Sequence, residues 1–258
     1  FAFMGWGFSA LIPLRWWPLW AASLWTVVEI LRGRIPFDGF PWLRLVHTTV
    51  DTPIDGVVRW LGSNGTTWLM ALIAGIVVAA AYNRSWKLSA GVAALAVLAA
   101  VAPTGLSSPA GTLGVAAIQG NTPGPFGTWR TGEILDLHLE ETARLTEPVD
   151  LVIWPENASD IDIMQSTSAG QSVTQAARNA GAPILVGAIL NGPDSDTALN
   201  ASVPVTPEEG VRSDVYVKQF LVPYGEYVPF RSVLGNLVPR FDREIPRDMI
   251  PGQEPGAM

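Results

Sequence analysis

The chain has 258 residues, a mean hydropathy of +0.27 and only 15% charged residues, which is low for a wholly soluble protein. It has no cysteine and only two histidines, so it offers no disulfide, no thiolate metal site and no histidine-rich metal site. Residues 1–110 carry a net charge of +3 and residues 111–258 a net charge of −10, which argues against nucleic-acid binding and indicates a membrane region followed by a soluble domain.

Three apolar segments lie in the first half, at residues 16–31, 66–82 and 88–101. A membrane-spanning helix needs roughly 20 apolar residues, and about 17 are tolerated. The second segment passes this test alone, and the other two pass it with their flanking residues. The alternative is a set of buried core helices. We predict a transmembrane helical region over residues 1–110, with about three spanning helices.

The links between these segments predict an orientation. The short link 83–87 carries two positive charges, which places it in the cytoplasm and everything after residue 110 on the opposite side. The long link 32–65 contains an aromatic stretch at 37–43, which is either a loop that dips toward lipid or an aromatic anchor. Glu29 is predicted to pair with Arg32 at i+3 rather than to lie at the headgroup level.

The second half changes to short apolar runs that alternate with amphipathic ones, after a linker at 103–114. We predict strands at 113–118, 151–154 and 184–188, helices at 131–146 and 166–179, and a hairpin of 199–205 with 211–221. Gly181 is expected to end the second helix. This order of elements predicts a layered α/β domain with a mixed sheet over residues 111–258.

The predicted strand 151–154 leads directly into Pro155 and Glu156. In layered α/β folds, ligands bind beyond the carboxyl ends of strands, so Glu156 lies where a general base is expected. The alternative is a loop carboxylate that caps a following turn. The step Gln119-Gly-Asn121 after the first strand is similarly placed, but it is equally consistent with a simple turn.

The stretch 216–230 combines a strand-like lysine with a turn glutamate. Alternation of period two puts Tyr216, Lys218 and Phe220 on one face. Pro223 is expected to stop the strand, and Gly225 to permit a sharp turn. The turn would return Glu226 to the neighbourhood of Lys218. The alternative is an exposed edge lysine beside an ordinary turn.

Five ordered motifs carry a resemblance to a known family. They are Glu29-Ile-Leu-Arg-Gly33, Gly39-Phe-Pro-Trp42, Ala117-Ile-Gln-Gly-Asn121, Trp154-Pro-Glu156 and the stretch from Lys218 to Pro229. Together they resemble the nitrilase (carbon–nitrogen hydrolase) superfamily and, more narrowly, the apolipoprotein N-acyltransferases. The resemblance implies that residues 111–258 form a nitrilase-like α-β-β-α sandwich, incomplete at its C-terminus.

The resemblance also implies roles for individual residues. Glu156 would be the general base, Lys218 the cation beside the tetrahedral intermediates, and Glu226 the residue that orients them. Three further residues, Trp42, Trp129 and Asn200, would bind substrate near the entrance. It implies no cofactor and no metal.

The family's nucleophilic cysteine lies downstream of the Lys–Glu motif, and this chain has none. We therefore expect a fragment that is truncated at both ends and is itself inactive. The implied enzyme is a monomeric, multi-pass protein of the bacterial inner membrane with its nitrilase-like domain outside the cytoplasm. It would transfer an acyl chain from phospholipid, through a cysteine thioester, to the N-terminal amine of a diacylglyceryl-modified lipoprotein. The alternatives are a membrane-tethered amidase or nitrilase and a catalytically dead scaffold.

Overall fold

The computed structural model describes residues 2–37, 39–101, 110–124, 128–238 and 240–254. The chain divides into two compact units: a helical unit, Phe1–Pro109, and a sheet unit, Ala110–Met258. Most of the predicted linker at 103–114 lies outside the described residues, as does Asp38 in the aromatic stretch 37–43.

Within its described residues, the helical unit contains four α-helices and one short 3₁₀ helix. These are α1 (Ala2–Leu11), α2 (Trp17–Arg32), the 3₁₀ helix Leu45–Thr49, α3 (Val57–Asn83) and α4 (Trp86–Ala100). Helix α2 packs against α3, where Trp68 Nε1 donates to Ser23 Oγ at 3.1 Å. Small residues such as Gly75, which faces Pro18, let the two helices approach closely.

Within the described residues, α3 is the one helix that is long and apolar enough to cross a membrane, judged by length and composition. It contains the predicted segment 66–82. Helix α2 has 16 residues and α4 has 15, both short of the roughly 20 that a span requires. The prediction of three spanning helices is therefore not confirmed.

A buried carboxylate, that of Glu29, joins three elements of the helical unit. Its Oε1 accepts hydrogen bonds from Trp25 Nε1 at 2.9 Å on the same helix and from the Leu45 backbone N–H at 2.9 Å. Its Oε2 accepts from Thr67 Oγ1 of α3 at 3.2 Å. Helices α2 and α3 and the 3₁₀ helix are thus held at one point by uncharged donors.

The predicted ion pair between Glu29 and Arg32 is wrong. Glu29 faces the interior of the unit, whereas Arg32 lies on the exposed side of α2 and donates from Nη2 to the Leu43 carbonyl at 3.2 Å. The i+3 spacing places two side chains within reach of each other on a helix, but it does not oblige them to pair. Here tertiary contacts with α3 draw the carboxylate inward.

The sheet unit contains a mixed sheet of seven strands with the order β1-β2-β3-β4-β5, and β6 and β7 also pair with β4. The strands are β1 (Val115–Ala117), β2 (Leu151–Ile153), β3 (Ile184–Asn191), β4 (Thr197–Thr206), β5 (Gly210–Val211), β6 (Tyr216–Val217) and β7 (Asp248–Met249). Strands β1, β2 and β3 are parallel, and β4 runs antiparallel to β3. The predicted mixed α/β sheet is confirmed.

In the described part of the sheet unit, four helices accompany the sheet: α5 (Glu133–Ala143), α6 (Thr167–Ala180), α7 (Arg231–Leu237) and α8 (Arg240–Glu244). Helix α6 packs on β4, β5 and α5 and ends, as predicted, at Gly181 with a φ of +66°. The core between sheet and helices includes Val152, Val173 and Ile184, all fully buried. A second sheet, as in a four-layer sandwich, is not among the elements of the described residues, so that part stays a prediction.

The predicted hairpin exists, but its second arm is broken. Strand β5 pairs with β4 so that Val211 faces Val205, whereas β6 pairs so that Val217 faces Ala201. The partner numbers sum to 416 in the first case and 418 in the second, so two extra residues are inserted between β5 and β6. The prediction of one strand over 211–221 is therefore wrong. The insertion decides which residue of β4 faces Lys218.

Candidate active site

The segment that carries Glu156 begins at the end of β2, in the middle of the parallel strands. Trp154 is buried, and its Nε1 donates to Thr142 Oγ1 of α5 at 2.9 Å, while its ring lies 5.5 Å from the ring of His138. This contact ties the end of β2 to the helix above it. Glu156 follows two residues later, and its side chain is 55% exposed. The candidate base therefore lies directly after a residue that is fixed by its contacts with α5.

Gly187 of β3 lets the segment with Pro155 and Glu156 pass directly against the backbone of β3. A Cβ at position 187 would lie 2.2 Å from the Pro155 carbonyl oxygen and 2.8 Å from Glu156 Cα, closer than atoms can approach. The Gly187 carbonyl also accepts from the Ala158 N–H at 2.8 Å. The backbone of Glu156 therefore rests directly on the backbone of β3.

Lys218 follows β6 and reaches both carboxylates. Its backbone N–H donates to the Asn200 carbonyl at 2.8 Å, which continues the β4–β6 register. Its Nζ lies 2.9 Å from Glu156 Oε1 and 3.1 Å from the Glu226 carboxylate. One ammonium is thus shared between two carboxylates that lie 70 residues apart in the chain.

The predicted return of Glu226 to Lys218 is confirmed by that distance. The left-handed residue of the turn is Tyr224, with a φ of +62°, rather than Gly225. The Glu226 N–H donates to the Val222 carbonyl at 2.8 Å, and the Val222 N–H donates to Glu226 Oε2 at 2.7 Å. This reciprocal pair holds the carboxylate of Glu226 against its own turn.

Asn200 of β4 lies between the two carboxylates. It is 5% exposed, and its Nδ2 donates to Glu226 Oε1 at 2.5 Å and also to Glu156 Oε1. The sequence singled out Asn200 as a substrate-binding residue, and the structure brings it into direct contact with both glutamates. Its role toward substrate stays a prediction.

The electrostatics of this cluster favour its charged form. Burial raises the pKa of the Glu156 carboxyl, but hydrogen bonds from Lys218 and Asn200 and the charge of Lys218 outweigh it and hold the pKa below its ordinary value of 4.5. Burial lowers the pKa of the Lys218 ammonium, but hydrogen bonds to Glu156 and Glu226 and the charges of both carboxylates raise it above 10.5. At neutral pH the base candidate is ionised and the lysine is cationic.

A cavity of about 550 Å³ opens beside Glu156 at the carboxyl ends of β1, β2 and β3. Trp129 lines it, as do Gln119 and Asn121 of the step singled out in the sequence. In that step the Asn121 N–H donates to Gln119 Oε1 at 2.8 Å, so it is a turn that also forms part of the cavity wall. Lys218 and Glu226 are not among the residues that line this cavity.

The polar groups in the cavity wall are mostly engaged with the backbone. The Asp160 carboxylate accepts from the Gly132 N–H at 2.7 Å and thereby holds the start of α5. His138 was not predicted to line the site. Its Nδ1 lies 2.8 Å from the Ile134 carbonyl, and its buried Nε2 has no hydrogen-bond partner among the described residues. In the sequence, only the helical spacing of His138 on α5 could have indicated that it lines the cavity.

Trp42 belongs to the helical unit. It is 65% exposed and stacks on Phe40 with the ring centroids 5.3 Å apart. Its predicted role in substrate binding stays a prediction. Within the described ranges, no three His, Asp or Glu side chains come together in a way that could hold a metal ion.

Residues 1–76 match the family model of the apolipoprotein N-acyltransferase N-terminal domain. The chain is 32% identical to an apolipoprotein N-acyltransferase of Mycolicibacterium smegmatis over 276 aligned positions, covering 93% of this chain and 46% of that protein. It is 29% identical to one of Photobacterium profundum, covering 85% of this chain and 44% of that protein. The predicted resemblance to apolipoprotein N-acyltransferases is confirmed.

The chain spans about half the length of the curated relatives it matches. Among solved structures, it is similar to an amidase from a Nesterenkonia species, at 20% identity and a TM-score of 0.36. That match covers 59% of this chain and 53% of the amidase.

Proposed function

We propose that this chain supplies the membrane region, the general base and the catalytic cation of an apolipoprotein N-acyltransferase. Similarity to enzymes of that name over most of the chain supports the proposal. The observation that carries it is the position of Lys218 Nζ, 2.9 Å from Glu156 and 3.1 Å from Glu226. Acyl transfer through a thiol needs a base to form thiolate and a fixed positive charge where the oxyanion develops.

In the proposed reaction, Glu156 takes the proton of a cysteine thiol, and the thiolate attacks the ester carbonyl of a phospholipid. Lys218 stabilises the oxyanion, Glu156 returns the proton to the lysophospholipid oxygen as that group leaves, and a thioester remains on the enzyme. The α-amine of a diacylglyceryl-cysteine then attacks the thioester to form an amide and restore the thiol. The chain contains no cysteine, so this thiol must come from a residue outside these 258.

Lipid substrates account for the helical unit in this proposal. Helix α3 is long and apolar enough to cross a bilayer, and large aliphatic side chains such as Val77 and Val78 of α3 are exposed. Exposed apolar surface of this kind marks contact with lipid or with protein. We propose that the protein resides in the bacterial inner membrane with the sheet unit on its outer side, as the charge of the loop 83–87 predicts.

The test is Glu156→Gln in the complete gene product, assayed for N-acylation of a diacylglyceryl-lipopeptide with labelled phospholipid. The amide keeps the size of the side chain but cannot accept a proton, so we expect acyl transfer to fall by roughly 10²–10⁴-fold. Arg240→Gln, at an exposed pair with Glu244, is the matched control and should leave the rate unchanged. Turnover of the Glu156 variant at the wild-type rate would refute the role of Glu156.

A membrane-tethered amidase is the second candidate, because the wall of the cavity at Glu156 contains carboxylate and amide side chains such as Asp160 and Asn121. In that enzyme, water would be the acceptor. The same assay distinguishes the two: amide-linked lipopeptide indicates the transferase, whereas ammonia released from small amides indicates the amidase. A protein with neither product would be the non-catalytic scaffold.

A further inference from the structure

The segment Asp248–Gly252, which we call the closing segment, contacts the backbone of both charged residues that follow β6. The Met249 N–H donates to the Glu226 carbonyl at 2.8 Å, and the Gly252 N–H donates to the Lys218 carbonyl at 2.9 Å. Between them, the Ile250 N–H donates to the Ala198 carbonyl of β4 at 2.9 Å. One short segment therefore joins the lysine, the glutamate and the strand that carries Asn200.

Asp248 anchors this segment through Arg231 of α7. Arg231 Nε donates to Asp248 Oδ2 at 2.9 Å and Nη2 donates to Oδ1 at 2.7 Å, a two-point pairing. The Val228 N–H, two residues after Glu226, also donates to Asp248 Oδ1 at 2.9 Å. Burial raises the pKa of Asp248, but the bonds from Arg231 and Val228 outweigh it and hold the pKa below 3.8.

The other end of the closing segment lies equally close to its neighbour. A Cβ at Gly252 would lie 2.2 Å from the Val217 carbonyl oxygen. Any side chain at position 252 must therefore push the closing segment and the residue before Lys218 apart. The segment is fixed at Asp248 by charge and at Gly252 by direct backbone contact.

We infer that Asp248 and Arg231 are positioning residues that set the location of Lys218 and Glu226 through the closing segment. The hydrogen bonds described for these two side chains go to each other, to Val228 and to the Ile245 carbonyl, so they act on Lys218 and Glu226 through the backbone. The catalytic meaning of this inference rests on the proposed function. The structural part of the inference is that the closing segment sets the geometry of the shared ammonium, and this part does not depend on the proposed function.

The chain has two lysines, Lys87 and Lys218, which makes the test direct. The full chain, labelled with [13Cε]lysine in detergent micelles, gives two lysine signals, and Lys87→Arg assigns them. We expect Lys218 in the parent chain to titrate above 10.5, because both carboxylates stabilise its cation. Asp248→Asn should move that titration downward, because the closing segment loosens and the carboxylates separate from the ammonium.

Arg240→Gln of α8 is the control and should leave the Lys218 titration unchanged, because its pairing with Glu244 is exposed. Asp248→Glu, which keeps the charge, should restore much of the parent behaviour. An Asp248→Asn chain with native circular dichroism and an unchanged Lys218 titration would overturn the inference. If Asp248→Asn does not fold, Arg231→Lys is measured in its place. Native circular dichroism with an unchanged Lys218 titration in that variant would then overturn the inference.

The outcome is separable from that of the proposed function. A shifted Lys218 titration together with wild-type acyl transfer by Glu156→Gln would uphold the positioning role and reject the transferase chemistry. An unshifted titration together with an inactive Glu156→Gln would do the reverse. In the complete gene product, a positioning role also predicts that Asp248→Asn lowers kcat with little change in KM.

Discussion

The helical unit and the sheet unit each bury glutamate, and they satisfy it differently. Glu29 accepts from three uncharged donors, Trp25, Leu45 and Thr67. In the sheet unit, the buried Glu226 shares the ammonium of Lys218 with Glu156, whose side chain is 55% exposed. Buried carboxylates must be compensated by hydrogen bonds or charge. The donors to Glu29 are all uncharged, whereas Glu226 accepts from uncharged Asn200 and Val222 and also from the Lys218 ammonium, which places three charged groups side by side.

Among the changes that test this comparison, Lys218→Met should have the largest effect, because it leaves Glu156 and Glu226 close together without their ammonium. We expect acyl transfer by the complete gene product to fall by roughly 10²–10³-fold, since a positive charge at the oxyanion is lost. The lipopeptide assay with labelled phospholipid measures it. Transfer within a factor of two of wild type would show that the shared ammonium is as structural as the donors around Glu29.

Glu29→Leu should have the next largest effect, on stability rather than on chemistry. Three donors lose their acceptor, and each loss costs about 1 kcal/mol or more, so we expect the free energy of unfolding to fall by about 3 kcal/mol. Denaturation in detergent, followed by tryptophan fluorescence, checks this. Glu29→Gln keeps one acceptor oxygen and should lose less. Equal stability of all three proteins would contradict a structural role.

The free energy of unfolding should depend on pH through Glu156 and Lys218 of the sheet unit. The pKa of Glu156 is lowered on folding, so its contribution is complete above 4.5 and is lost as pH falls through the folded value. The pKa of Lys218 is raised, so its contribution is complete below 10.5 and is lost as pH rises through the folded value. Urea unfolding across both ranges should give a flatter profile for Glu156→Gln with Lys218→Met than for the parent. Identical profiles would contradict the coupling.

Thr142→Val should have the smallest effect. It tests a difference between the two units in the acceptor to which a tryptophan N–H donates. Trp25 donates to a carboxylate in the helical unit, whereas Trp154 donates to the Thr142 hydroxyl. Loss of that acceptor leaves a buried indole N–H unpaired, and we expect unfolding to become easier by about 1 kcal/mol. Thr142→Ser keeps the hydroxyl and serves as the control. The same midpoint of thermal unfolding for both variants would contradict a stabilising role of the Thr142 hydroxyl.

Local patterns and the family resemblance predicted the residues of the candidate site but not all of their contacts. Trp154-Pro-Glu156 and the turn at Pro223 show in the sequence because prolines and short strands determine them locally. The contact of Asn200 with both glutamates does not show. Counting back from the hairpin turn would pair Asn200 with Tyr216, and only the two inserted residues between β5 and β6 move Lys218 opposite it.

Tertiary contacts explain the other failures. The sequence around Glu29 contains Arg32 at a favourable helical spacing, but the burial of α2 against α3 decides which way the carboxylate points. The closing segment was missed because its strand, β7, has only two residues and lacks apolar alternation. Its position depends on backbone hydrogen bonds to Lys218 and Glu226, which the sequence pattern does not encode.

Gly187 has a consequence for mutational tolerance. A glycine inside a strand costs about 0.5–1 kcal/mol relative to alanine, so the intrinsic backbone preference alone would favour replacing it. The Pro155 carbonyl oxygen occupies the space that one methyl group would need. A saturation library at this codon, screened for folding and for acyl transfer separately, should therefore find chains that fold yet fail to transfer. A position beside the candidate site can thus be intolerant of substitution although it contributes no side chain.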